Sequence, residues 1–139
     1  MIYGAKYQRD LDIVEIAKRM RADIRAAVAS GDLPKAKYSV TCERYSMGRS
    51  IDINATALPF EVYAREYIQH RIGRAEHPGF FLSEQARIVT AKLKAIHDAY
   101  NFDGNDLQTD YHNMNFNGGV EVYNAGEFER MEAEERATA

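Results

Sequence analysis

The feature that most constrains this chain is a change of hydrophobic period between its first two segments. From Asp10 to Ser30 the apolar residues Ile13, Ile16, Ala17, Met20, Ile24, Ala27 and Val28 recur every three or four positions, which lines one face of a helix. From Ala36 to Arg44 the apolar residues Tyr38, Val40 and Cys42 alternate with Ser39, Thr41 and Glu43, and Ile51 and Ile53 continue the alternation from Ser50 to Asn54. A helical stripe followed by two alternating strands requires a helix laid on the apolar face of a sheet. The boundaries agree. Asp12 with Glu15 three residues later reads as a capping box, Gly31 suits the left-handed residue after a helix, and Pro34 forbids its resumption. Tyr45 to Arg49 is short and contains Gly48, so the two strands read as a hairpin.

The remaining segments extend this α+β reading. Pro59 suits a first helical position, and Phe60, Tyr63, Ala64, Tyr67, Ile68 and Ile72 follow helical spacing as far as Gly73, giving an aromatic-rich second helix whose stripe reads as core. Gly73 to Leu82 reads as a loop whose Phe80 and Phe81 must dock. Ser83 caps a third helix carrying Ala86, Val89, Leu93, Ile96 and Tyr100. Asn101 to Asp110 is a polar turn, and Tyr111 to Tyr123 alternates as a third strand. Asn117-Gly118-Gly119 interrupts that strand, as a glycine bulge or as a hairpin turn. The expected order is α-β-β-α-α-β-α, a small antiparallel sheet covered on one face by the first and third helices. Residues 1–126 form a single domain in this reading, and residues 127–139 an acidic C-terminal tail, a marginal helix with only Phe128 and Met131 as large apolar residues.

Composition sets the function classes aside. With 139 residues, 45% apolar and 11% aromatic, the chain has the material for one globular core, which excludes disordered and low-complexity classes. No window approaches a membrane-spanning apolar run, and Lys6, Arg9, Asp10 and Asp12 break any signal-like apolar segment, so a cytoplasmic setting is expected. Cys42 is the only cysteine, so neither an intramolecular disulfide nor a thiolate zinc site is available, and it reads as a small core residue. Net charge is −3, but residues 1–50 hold ten Lys and Arg against six Asp and Glu, while residues 101–139 hold two against nine. That balance argues against a general nucleic-acid binder.

Two stretches carry a family resemblance. Lys37-Tyr-Ser-Val-Thr-Cys-Glu-Arg-Tyr-Ser-Met-Gly-Arg-Ser-Ile-Asp-Ile53 resembles the strand, Ser/Gly turn, strand signature of a large polyvalent protein-associated domain of phages and other bacterial mobile elements. Tyr100-Asn-Phe-Asp-Gly-Asn-Asp-Leu-Gln-Thr-Asp-Tyr-His-Asn-Met-Asn-Phe116 is similar to that family's later segment. With the first helix, the similarity spans residues 10 to about 123. Met47 departs from it where a second small residue is usual, and Phe60 to Phe81 is added length. The resemblance implies an α+β fold and a mobile-element origin within a bacterial host cell; it carries over no catalytic residues.

No constellation of adjacent residues assembles an enzyme. Asp103, Asp106 and Asp110 lack the spacing of a calcium loop and suit turn capping, and His70, His77, His97 and His112 form no helical i, i+4 pair. No glycine-rich segment precedes a helix to cradle phosphate, and Ser46 and Ser50 have no histidine base nearby in sequence. No cofactor or metal is expected. The candidate binding residues are Lys18, Arg21 and Arg25, a basic stripe at i, i+3, i+7 on the first helix, with Tyr45 and Arg49 at the hairpin tip. An ordinary solvated helix face accounts for the same stripe. The first functional reading is a non-catalytic accessory protein that binds a host or phage protein. The alternative is a nucleic-acid-binding module using the basic face with Lys35 and Lys37, Tyr45 stacking on a base and the acidic tail screening the surface. A third, a hydrolase using Asp106, Asp110 and His112, rests on proximity in sequence alone.

Overall fold

A computed structural model describes residues 2–46, 48–71, 82–103 and 115–138. The first helix, α1, spans Ile13–Ala29 and buries Ile13, Ile16, Ala17, Met20 and Ile24, the stripe that the spacing predicts. Asp12 caps it by accepting from the Val14 N–H at 3.2 Å. Glu15 does not complete the expected box. It accepts instead from Arg19 Nε at 3.1 Å, and Asp12 pairs with Arg44, because cationic donors make stronger bonds to carboxylates than a neutral amide does. At the other end Gly31, at φ +83°, and Asp32 donate their N–H groups to the Val28 and Ala27 carbonyls, which closes the helix as expected.

Strands β2 (Lys37–Tyr45) and β3 (Gly48–Thr56) form the antiparallel hairpin, with Val40 opposite Ile53 and Cys42 opposite Ile51. Helix α3 (Glu84–Asp98) starts at Ser83, whose hydroxyl accepts from the Ala86 N–H. The third strand, β5 (Val120–Val122), adds to the far side of β3 and gives the sheet order β2-β3-β5. The α+β class and the element order stand, but β5 runs parallel to β3, so the sheet is mixed rather than antiparallel throughout. The cause is the connection. Helices lie between β3 and β5 in sequence, and a helical crossover returns the chain to the starting end of the strand it left.

Asn117-Gly118-Gly119 is neither a hairpin turn nor an insertion. Ser50 is bridged to Asn117 and Ile53 pairs with Val120, so the offset between the two segments is unchanged across the glycines. Gly118, at φ +103°, passes so close to β3 that an added Cβ would lie 2.1 Å from the Ile51 carbonyl oxygen. No side chain fits there.

The second helix, α2, spans only Arg65–Arg71, and Pro59 does not begin it. The N–H groups of Val62 and Tyr63 are both taken by the carboxylate of Glu127, and the Val62 carbonyl accepts from the Ser83 N–H at 2.7 Å. Long-range bonds therefore displace the helical turn that local spacing predicts. Phe102, expected within the polar turn, instead forms a strand: β4 (Phe102–Asp103) pairs with β1 (Ile2–Tyr3) in a separate two-stranded sheet. The Phe102 ring packs edge-on to Tyr7 at 5.2 Å. Expectations for Phe80, Phe81, Asp106, Asp110 and His112 fall outside the described residues.

Helices α1 and α3 cover one face of the three-stranded sheet, burying Ile16, Met20, Ile51, Ile53 and Leu93 completely. The last helix, α4 (Glu127–Thr138), is anchored rather than a loose tail. Met131 is wholly buried against Tyr67 and Ile68 of α2, Phe128 packs beside them, and Arg65 reaches Glu134 and Glu135. Among the described residues, no helix is long and apolar enough to cross a membrane.

Candidate functional site

Strand β2 lies at the edge of its sheet, and the hydrogen bonds of β3 determine which of its groups face outward. Ile51 and Ile53 donate to Asn117 and Gly119, and the Ala55 carbonyl accepts from Tyr123, so these three residues bond toward β5. Their neighbours Ser50, Asp52 and Asn54 therefore bond to Glu43, Thr41 and Ser39 across the hairpin. That leaves the main-chain groups of Tyr38, Val40 and Cys42 on the open edge. Arg21 confirms the assignment: its Nη2 donates to the Val40 carbonyl at 2.6 Å from the side away from β3.

A groove of about 490 Å³ runs between α1 and this edge. Ile24, Val28, Ala36, Tyr38 and Val40 give it an apolar floor, and Arg21 and Arg25 stand along its rim. The Tyr38 hydroxyl donates to the Pro34 carbonyl at 2.6 Å, which fixes the ring against the groove, and partial burial raises its pKa above the ordinary tyrosine value. Groove and edge lie side by side. An extended segment placed there would meet main-chain donors and acceptors along one flank and apolar side chains beneath it.

Most of the described cations away from the groove pair with carboxylates, Arg9 and Arg87 being among the exceptions. Lys6 pairs with Asp23, Arg19 with Glu15, Arg44 with Asp12, Lys92 with Asp32 and Lys94 with Asp98. Among the described residues, Lys18, Arg25, Lys35 and Lys37 have no carboxylate partner. Lys18 stands one turn before Arg21 on α1, and Lys35 and Lys37 bracket Ala36 in sequence. A second cleft, of about 450 Å³ between α1 and α3, provides the contrast. Its Lys6 and Asp23 are paired, as are its Lys92 and Asp32, and Tyr100 donates to Asp23 at 2.5 Å, so its charges are already satisfied.

The structure thus brings Arg21 and Arg25 together on one groove, with Lys18 adjacent, and leaves Tyr45 and Arg49 apart from it at the hairpin end. Tyr45 is 44% exposed, and its hydroxyl accepts from Asn117 Nδ2. Arg49 is a structural tie: its guanidinium donates to the main-chain and side-chain oxygens of Asn115 and to the Leu11 carbonyl. Three bonds leave it poorly placed to hold a ligand.

Two buried polar residues were not singled out by sequence reasoning. Glu127 is 4% exposed, and its carboxylate accepts from Val62, Tyr63 and Asn124 Nδ2. His97 is 3% exposed. Its Nε2 lies 2.9 Å from the Ile51 carbonyl, which can only accept, so Nε2 carries hydrogen; Nδ1 lies 3.0 Å from Asp98. Each ties a helix to the rest of the fold, and neither opens onto the groove. Their only sequence signal is a polar residue at an apolar helical position, as His97 is after Val89 and Leu93. Among the described residues, no three His, Cys, Asp or Glu side chains converge to hold a metal. Comparison with protein-family models, curated proteins and solved structures finds no match to this chain.

Proposed function

We propose that this chain is a non-catalytic accessory protein that acts by binding another protein through the groove between α1 and β2. The observation that carries this reading is an apolar groove bordered by a strand edge left open among the described residues and by cations that have no carboxylate partner among them. Apolar floors bind side chains and gain from excluding water, whereas a surface for nucleic-acid backbone needs cations in place of that floor. The mobile-element setting, and with it a bacterial cytoplasm as the place of action and a host or phage protein as the partner, rests on the resemblance of Lys37 to Ile53 and Tyr100 to Phe116. A nucleic-acid role would use Lys18, Arg21 and Arg25 as well, so the test must separate the two.

Affinity capture from bacterial host lysate, with and without nuclease, compares the native chain with Val28→Asp. The reading expects a partner that survives nuclease and is lost from the variant, with the variant's melt confirming that it folds. Capture that disappears with nuclease, or that is indifferent to Val28→Asp, overturns it.

A further inference from the structure

We infer that the groove takes an extended acidic segment of its partner, which pairs as an added strand on the free edge of β2; this rests on the protein-binding reading above. The geometry fixes the mode. Tyr38, Val40 and Cys42 present their main-chain groups at alternate residues along one line, the repeat that an incoming strand presents in return. A helical partner would have no donors or acceptors to offer them, since its own are bonded within the helix. An added strand directs every second side chain to the same sheet face as Tyr38 and Val40, where Ile24 and Val28 form the far wall. Where they lie over Ile24 and Val28, those positions call for small or branched apolar residues.

Charge selects other positions on that same face, because the intervening side chains point to the opposite side of the sheet, away from α1. Arg25 is exposed on the groove, Lys18 is exposed two turns before it on α1, and neither has a carboxylate partner among the described residues, so acidic side chains directed toward α1 would meet them without first breaking an ion pair. Arg21 occupies the Val40 carbonyl. When a strand arrives, the amide facing Val40 takes over that acceptor, and the guanidinium is released to a carboxylate of the same segment. Arg21 thus protects the edge in the free chain, as cationic groups on edge strands commonly do, and becomes a rim contact in the complex.

The test uses the full chain and a blocked octapeptide with threonine at every second position and valine and glutamate taking turns at the others, beside the same peptide with lysine for glutamate, a version N-methylated at alternate residues, and a twelve-nucleotide oligothymidylate. Binding is read by fluorescence anisotropy, and hydrogen exchange by NMR. The acidic peptide should bind at least about tenfold more tightly than the lysine peptide, and Lys18→Glu with Arg25→Glu should abolish that preference. N-methylation should abolish binding. Exchange at the amides of Tyr38, Val40 and Cys42 should slow about tenfold or more on binding, while Ser39 and Thr41, already paired with β3, stay unchanged.

Peptide binding at the groove without slowed exchange at Tyr38, Val40 and Cys42 overturns strand addition, as does equal affinity for the N-methylated peptide. Equal affinity for the lysine peptide overturns the acidic assignment. If none of the peptides binds while lysate capture still depends on Val28, this inference fails and the protein-binding reading stands. If only the oligothymidylate binds, weakening steeply with salt, both fail in favour of nucleic acid.

Discussion

Replacing Glu127 with alanine should be among the most damaging single changes to this fold, although it falls in the most acidic stretch of the chain. Three donors converge on its carboxylate: the Val62 N–H at 2.8 Å, the Tyr63 N–H at 3.0 Å and Asn124 Nδ2 at 3.0 Å. Val62 is completely buried, so its amide has no solvent to turn to when the carboxylate is removed. Each main-chain donor left unsatisfied costs about 1–3 kcal/mol. Two of them put Glu127→Ala at about 2–6 kcal/mol, toward the lower end if water fills the space. For a domain of this size, that is a fall of roughly 6–18 °C in Tm. Glu127→Gln separates hydrogen bonding from shape. Its oxygen can still serve Val62 and Tyr63, but its NH₂ then faces Asn124 Nδ2. Asn124 cannot turn over without losing the Leu58 N–H bond at 2.7 Å. The glutamine variant should therefore lose about 1–2 kcal/mol. Calorimetric melts and urea unfolding of the three proteins test the order native, glutamine, alanine. A shift below about 2 °C for Glu127→Ala would refute the view that α4 is held by this carboxylate.

Further outcomes follow from the same structure. Gly118→Ala should cost several kcal/mol or abolish soluble expression, because its Cβ meets the Ile51 carbonyl at 2.1 Å. Gly119→Ala, with nothing within 4 Å of its Cβ, should melt close to native. Met131→Ala should lose about 2–5 kcal/mol in urea unfolding, since the side chain fills the small cluster with Tyr67 and Ile68. Arg21→Ala, read from the same melts, should cost about 1 kcal/mol through the bond to Val40, rather than nothing as for a solvated stripe. Tyr100 keeps its proton above the ordinary tyrosine range, first because it is buried and then because it donates to Asp23. Its contribution is complete below about pH 10 and declines as the pH rises through the raised value, so Tyr100→Phe should flatten the alkaline limb of stability against pH. An unchanged limb in urea titrations from pH 9 to 12 would contradict this.

The sequence made the local elements legible and left their long-range pairing hidden. Helix α1 and the β2–β3 hairpin were readable because Ile13 through Val28 keep the helical period and Tyr38 to Cys42 and Ile51 to Ile53 each alternate on either side of a short glycine-containing turn. The direction of β5 was not readable: Val120–Val122 alternates in the same way whether it pairs parallel or antiparallel, and only the crossover decides. The segment from Pro59 to Tyr63 has helical spacing but does not form a helix, because Glu127 claims two of its amides from more than sixty positions away. By the same bond, an acidic terminal stretch that looks marginal becomes an anchored helix. Lys18, Arg21 and Arg25 could be picked out as a basic stripe, yet the groove beside them exists only once α1 lies over an edge strand. Arg49 looked alike in sequence, but its bonds to Asn115 and Leu11 come from the tertiary fold.

The central claim is that the groove between α1 and β2 is where a protein partner docks, and photo-crosslinking inside the host cell tests it most directly. A photoreactive benzoylphenylalanine at Ala29, exposed on the groove, is compared with one at Glu43, exposed on the opposite face of β2. Discrete protein adducts at Ala29, missing at Glu43 and lost when Val28→Asp is added, are the predicted result. Adducts confined to Glu43, or adducts at Ala29 that nuclease digests, would contradict it.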